Sequence, residues 1–399
     1  MRNHGTFNFP MHSSAPLVGL EAAAYYSSLD NKVYVSDGAA WNPLNSTPSS
    51  FGEYIFADET MPDEASDCRT AIQALIDGAP SSGSGQVRTV VFTDRVYLIS
   101  SPGLVINGKA INFLGVRGSI GTSAVTGTRF IASNASMTIL KIGDISSSIF
   151  QHGPMIEGIL FYSNTNTGVT GVWLENVNHT SWNHVNFTGL DFAVKVSGAI
   201  SVSSKDNAWH IWNDVRIWNV GLYGPASGGC AGFLLLDSYG MMVTNYVIDV
   251  KPPSTSGFNY GIYAPAPGVD GMPAAPNTGA YSHKFLNGFI DGSSGNPRTI
   301  GICLRGAKFT MISHGKLEAC AKGLVMGGGN PTSSWGRGNV VDHFSVSGWN
   351  LVGVEIEAGA GDSGTDGGGI DHIGFEFGTG SKLTNAAGAG FKVGTLYNN

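Results

Sequence analysis

Between residues 155 and 393 one short pattern is written repeatedly: a polar residue, a hydrophobic run, a variable stretch, and a second run opened by Gly or Ala. The copies begin at Glu157, Asn183, Asn213, Asn245, Asn287, His314, Asp342 and Asp371, at steps of 26, 30, 32, 42, 27, 28 and 29 residues. The second runs (GVWL, AVKV, GFLL, GIYA, GICL, GLVM, GVEI, GFKV) open at Gly171, Ala193, Gly232, Gly261, Gly301, Gly323, Gly353 and Gly390 and keep step with them. A period of this length means a stacked array, because one unit cannot bury its apolar side chains without neighbours above and below.

The unit is β. HVNF, DVRIW, HFSV and HIGFEF alternate with period two and are rich in β-branched and aromatic residues, while Gly, Asn, Ser and Thr fill the gaps. Coils stacked about 4.8 Å apart would bury Val185, Phe187, Val215, Ile217, Phe344, Val346, Ile373 and Phe375 in one core. Asn183, Asn213, Asn245 and Asn287 fall at equivalent turns, where side-chain amides can bond from coil to coil. Ordinary turn asparagines would give the same letters.

Low charge (13%) with 57 glycines suits a long β array. A net charge of −7, with no Lys/Arg cluster, argues against a nucleic-acid partner. Cys68, Cys230, Cys303 and Cys320 lie far apart without metal-ligand spacing, and are expected as free, packed thiols of a protein folded in a reducing cytoplasm. His184, His343 and His372 form no ligand set, so neither a metal nor another cofactor is expected. MRNHGTFNFPMHSSAP has no apolar stretch that would direct export, and no window approaches a membrane span, so membrane insertion is not expected and release by lysis is.

Four regions follow: 1–58 with a hairpin, 59–100 with a helix and a first strand, 101–394 as the coils, and a tail at 395–399. In the first, GLEAAAYYSSLDNKVYVSDGAAWN reads as a strand at Tyr25–Tyr26, a turn at Leu29–Asn31, then KVYVSDG and Trp41. This order resembles a small module of phage tail fibres and tailspikes. MPDEASDCRTAIQALIDGA (60–78) reads as an amphipathic helix capped by Asp63 or Ser66, with Cys68, Ala71, Ile72, Leu75 and Ile76 on one face. The strand after it carries Val90, Val91, Phe92, Tyr97 and Ile99. A helix followed by this strand resembles the start of pectate-lyase-like right-handed parallel β-helices, especially those of phage tailspikes, where the helix plugs the open end of the stack. The resemblance runs from about residue 60 to 393 and implies fold more than chemistry.

It implies an all-β, single-stranded, right-handed parallel β-helix in a virion tail: a homotrimer, joined to a tail adaptor or baseplate protein through the N-terminal region. It also implies a receptor-binding role on a host cell-surface polysaccharide such as O-antigen or capsule, which many such proteins cleave. A non-catalytic adhesin of the same fold and a freestanding pectate-lyase-like or polygalacturonase-like enzyme are the rival readings.

The coils point to one place for chemistry. Four residues after the opener stand Phe161, Phe187, Ile217, Val346 and Phe375, but in three consecutive coils Asp249, Asp291 and Glu318 stand there instead. Ile248, Ile290 and Leu317 then take the inward position and the acids stack outward, neighbours about 5 Å apart and the outer pair about 10 Å. Those separations suit the carboxylate pairs of retaining and inverting glycosidases, so these three are the candidate catalytic residues. A solvated acidic strip would read the same way. His283, His314, Lys316 and Arg305 lie in the same or adjoining coils as candidate glycan-binding groups. Phe258, Tyr260 and Tyr263 join them, from the Pro- and Gly-rich stretch between Val250 and Tyr281, with ring faces that suit sugars. Glu355, Glu357 and Glu175 read as outward acids meeting solvent or a neighbouring subunit, and Trp173, Trp182, Trp212 and Trp218 as either a sugar platform or core filling.

Overall fold

The computed structural model describes residues 53–59, 61–62, 66–118, 126–144, 153–197, 208–236, 238–266, 280–292, 298–326, 338–349 and 351–356 in full. It also describes the backbone of strands at 11–12, 24–27, 32–36, 41–43, 151–152, 369–376 and 389–393. Among these residues, nearly every strand pairs in parallel with the equivalent strand of the next coil. Lys284–Asp291, for example, lies between Met242–Val250 and Met311–Glu318. A 15-stranded sheet and a 10-stranded sheet run the length of the stack, the second built from the Gly-opened runs such as Thr170–Glu175 and Thr299–Leu304. The chain is a parallel β-helix, and its parallel connections take the right-handed course of such crossovers.

Each coil gives the longer sheet two segments, hinged at a residue of positive φ: Gly158, His184, Asp214, Asn245, Asn287, His314 and His343, with φ between 47° and 70°. Gly, Asn, Asp and His are the residues found most often in this left-handed region, which is why the hinge positions are Gly or polar. From Ile211–Val220 onward the two segments fuse into one strand. The hinge also corrects the alignment read from the openers. Asn183 and Asn213 are in register with Thr244, Leu286, Ser313 and Asp342, one residue before the hinge, whereas Asn245, Asn287 and His314 are the hinge itself.

The amide ladder survives this offset. Asn213 donates to Asn183 Oδ1 at 2.9 Å, Asn245 to Asn213 Oδ1 at 3.0 Å, and Asn287 to Asn245 Oδ1 at 3.4 Å. Thr244 Oγ1 also donates to Asn213 Oδ1 at 3.0 Å, bridging the change of position.

Three residues past the hinge stand Phe161, Phe187, Ile217, Ile248, Ile290, Leu317 and Val346, in register and all buried. Val185, Val215 and Phe344 are buried as expected, while the side chains of Ile373 and Phe375 lie outside the described residues. Trp182 and Trp212 also fill the core, stacked at 4.3 Å and 3°. Volume is balanced along each inward column. Tyr246 is followed in register by Gly288, and a Cβ there would lie 1.9 Å from the Tyr246 ring.

The helix is shorter than 60–78, spanning Arg69–Asp77, with Ile72 and Ile76 buried beneath it. Its N-cap is Cys68, without a side-chain cap, and the Arg69 amide donates to Asp67 instead. Gln73 accepts from Val105 N and donates to Val105 O, both at 2.9 Å, on the terminal strand of the 10-stranded sheet. The helix thus satisfies an edge that would otherwise offer unpaired backbone groups. The two strands of the hairpin pair as read, Tyr25 opposite Tyr34, followed by the strand Trp41–Pro43, while the turn at Leu29–Asn31 lies outside the described residues. Glu53–Phe56 pairs with Arg88–Val91 and is the end strand of the long sheet. All four cysteines are buried, and none is in a disulfide.

Candidate functional site

The outward side of the long sheet, beyond the hinge, carries two neighbouring columns. Two residues past the hinge stand Asn186, Arg216, Val247, Phe289, Lys316 and Ser345; four past it stand Tyr162, Thr188 and Trp218, then Asp249, Asp291, Glu318 and Ser347. The acids therefore replace no core residue. They occupy the ordinary outward position, and the apparent anomaly came from the one-residue slip of the openers.

Asp249, Asp291 and Glu318 are in direct register on three adjacent strands, with spacings of about 4.8 Å between strands. Their surroundings differ. Asp249 is 7% exposed, accepts the Asn219 amide at 3.2 Å and pairs with Lys251 at 3.0 Å. Asp291 and Glu318 are half-buried, Glu318 paired with Lys316 at 3.5 Å. Of the three, Asp291 and Glu318 have the access that a reacting group requires.

The other expected residues divide. Lys316 shares the outward face with Glu318, and His314 is the exposed hinge of the same strand, its ring stacked on His343 at 5.0 Å. His283 does not reach the surface. It is fully buried at a corner, accepting from Met241 N and bonded to Ser238 Oγ, so it cannot meet a glycan. Burial holds it neutral, with its pKa pushed down to about 3. Tyr260 and Tyr263 lie on the strand Asn259–Tyr263 of the other sheet, enclosed and stacked on each other at 3.8 Å. Phe258 packs against the same cluster and Arg305 is buried in the turn before Ala307–Lys308. Tyr260 and Tyr263, expected on the Pro- and Gly-rich stretch, thus belong to a strand, with Phe258 directly before it. Glu175 and Glu355 are buried beside Lys141 and Lys322 respectively, and Glu357 lies outside the described residues.

Sequence reasoning missed a cleft of about 170 Å³ on the same face, lined by Arg117, Gly118, His184, Asn186, Asp214, Arg216 and Trp218. Asp214 is at its centre: Oδ2 accepts from Arg117 Nη2 at 2.7 Å and meets His184 Nδ1 at 2.6 Å, while Arg216 Nε is 3.6 Å from Oδ1. His184 and Asp214 are hinge residues of adjacent coils, Asn186 and Arg216 share an outward column and Trp218 stands in the next one, so five of the seven were readable from a correct alignment. Arg117 was not, because it reaches across 97 residues of sequence from an early turn. Trp218 joins the cleft to the acids: the register shifts after Ile217, and the extra residue, Asn219, turns its amide onto Asp249. Among the described residues no group of three His, Cys, Asp or Glu side chains could hold a metal ion.

Comparison with known proteins adds the frame. No protein-family model and no curated protein matches the sequence. Among solved structures, a mutant tailspike protein of the E. coli bacteriophage HK620, in complex with a pentasaccharide, matches with a TM-score of 0.53 at 12% identity, over 94% of this chain and 64% of that one. The architecture, a parallel β-helix, is one that this tailspike also has. The chain spans under two thirds of that tailspike, and at this identity the likeness concerns fold alone. Geobacillus virus E2 ORF18 matches at TM-score 0.41 and 12% identity, over 90% of this chain and 70% of the other. A Yersinia enterocolitica family 28 exopolygalacturonase matches at TM-score 0.42 and 8% identity, over 94% and 82%.

Proposed function

We propose that this chain is a tailspike or tail-fibre subunit of a bacteriophage that binds a host surface polysaccharide on the outer face of its long sheet and cleaves it there. The observation that carries this reading is the in-register column of Asp249, Asp291 and Glu318 beside Lys316 and Trp218, on an otherwise weakly charged solenoid. A stacked strand array is straight, so such a column makes a track along which a chain of sugars can lie. Asp291 and Glu318, on neighbouring strands, have the close spacing of a nucleophile and an acid/base that retain anomeric configuration. Asp249, engaged by Lys251 and Asn219, holds the local charge and geometry.

The reading also takes the N-terminal hairpin region as the attachment to a tail adaptor or baseplate protein, and the assembly as a homotrimer. The trimer is supported by exposed apolar residues spread along the stack: Met155, Ile211 and Val340 are exposed on one register column, which also holds Ser181 and an exposed Lys284, with Trp209 and Phe309 exposed at the adjoining bend. Exposed apolar surface of this length calls for a partner of equal length, and a copy of the same solenoid provides it. Sedimentation of Ile211→Glu as a monomer, where the parent chain sediments as a trimer, tests that part.

The main test is incubation with bacterial capsule and lipopolysaccharide preparations, read by new reducing ends and by absorbance of unsaturated uronides. Cleavage is expected, lost in Asp291→Asn and Glu318→Gln with binding retained. A glycan that is bound and never cut leaves the adhesin and removes the enzyme; cleavage at full rate in both variants removes the site.

A further inference from the structure

We propose that the Arg117–Arg216 cleft is a subsite for the carboxylate of an acidic sugar, so that the polysaccharide on this face is one containing uronic or similar acid residues. The inference rests on the polysaccharide-binding reading of the face and names the substrate class.

The charges give the first reason. Two arginines, half exposed, share a single carboxylate, Asp214, which leaves one net positive charge on a protein of net −7. His184 adds a further donor position on Asp214 and, when protonated, a further charge. Asp214 is more buried than either arginine and pairs with both, through Oδ2 and Oδ1 respectively, so it acts as a positioning residue. The arginines come from distant parts of the chain, an early turn and a strand three coils on, and both pair with Asp214. A surface arginine needs no such fastening, whereas a planar anion bound by two guanidinium forks does.

The second reason is position. Arg216 is two residues from Trp218 on one strand, and the bulge at Asn219 joins Trp218 to Asp249 on the next. The cleft, the indole and the acid column therefore form one line along the stack, cationic at one end and anionic at the other. An acidic sugar seated at the arginines extends its neighbours past Trp218 toward Asp291 and Glu318, two and three strands away, or about 10 and 14 Å. Its own charge is then kept clear of the carboxylates, which would repel it. A neutral glycan has no use for the cationic end.

The test is calorimetric titration of the full-length protein with trisaccharides of galacturonate, mannuronate and guluronate, each beside its carboxyl-reduced form, with inorganic phosphate as a further probe. At least one acid trimer is expected to bind about tenfold or more tighter than its reduced form, weakening with salt. Arg216→Ala removes that preference and leaves the reduced form unchanged; Arg216→Lys, keeping charge without the fork, falls between. Equal binding of acid and reduced forms, failure of all three acids, or phosphate binding as tightly and displacing the trimer each overturns the proposal. Binding of a neutral bacterial polysaccharide, unaffected by Arg216→Ala, overturns it while leaving the broader function standing.

Discussion

The outer faces of the two long sheets come from the same repeat and carry opposite chemistry. Beyond the hinge of the long sheet, the middle coils present Arg216, Trp218, Asp249, Asp291, Lys316 and Glu318. The same coils of the other sheet present Leu234, Tyr263, Cys303 and Val325 in one register column, and Ala231, Tyr260 and Ile300 in another, all buried. The inward columns are apolar in both, so stacking alone needs only those. What each outer face carries is surplus to the solenoid. One surplus makes a second apolar core, and the other leaves charges, a cleft and half-buried carboxylates open to a ligand.

The largest effect should come from moving one chemistry onto the other face. Val325→Asp sets a carboxylate in an enclosed apolar column, a burial that costs more than about 4 kcal/mol without a partner. Ser345→Asp, beside Lys316 on the polar face, should change stability by less than about 1 kcal/mol. Comparing the two by denaturant unfolding, together with soluble yield, checks the contrast. Similar losses would mean that the faces differ only in appearance. Truncation gives the next effect: Tyr263→Ala removes a stacked, enclosed ring and should cost about 3 kcal/mol or more. Trp218→Ala should cost far less in stability and be felt in glycan affinity instead.

This contrast also explains what could be read from sequence. The solenoid was legible because inward Phe187, Ile217, Ile248 and Leu317 recur at a fixed distance from a polar hinge residue at positive φ. The outward acids were legible for the same reason, although the one-residue slip at Asn245 made them look like core substitutions. The second outer core was not. Tyr260 and Tyr263 follow a Pro- and Gly-rich stretch, and whether a tyrosine on an outward column faces water depends on what folds over it, which no local pattern records. Arg117 was hidden in the same way, since only the three-dimensional path of its turn carries it to Asp214.

Acid sensitivity arises away from both faces. His210 and His283 are fully buried at a corner shared by neither face, His210 bonded to Thr180 and His283 to Ser238 and Met241 N. Desolvation keeps both neutral, with pKa values pushed down to about 3; for His210 the nearby His283 and His179 add to it. These folded values lie below the unfolded one of about 6.5, so unfolding takes up protons in between. The stability the pair contributes is complete above about pH 6.5 and is lost as pH falls toward 3, by about 1.4 kcal/mol per pH unit per histidine. Unfolding free energies at pH 7 and pH 5 should differ accordingly, and His210→Gln with His283→Gln should flatten the difference. A slope unchanged in the double variant would move its origin to the carboxylates of the outer face.

The smallest effect is the most particular to the polar face. Lys316 and Glu318 form an ion pair at 3.5 Å with side chains 35% and 45% exposed, in reach of water and salt. Such pairs gain little, because solvent screens the attraction and two long side chains must be held in place. Lys316→Met should therefore shift the unfolding midpoint within error, by less than about 0.5 kcal/mol, while weakening any glycan held between Lys316 and the acid column. A clear stability loss would show that the pair is part of a packed surface like the one around Tyr263. An unchanged midpoint with weakened binding would mean that this face retains its charges for a ligand, since the fold has no need of them.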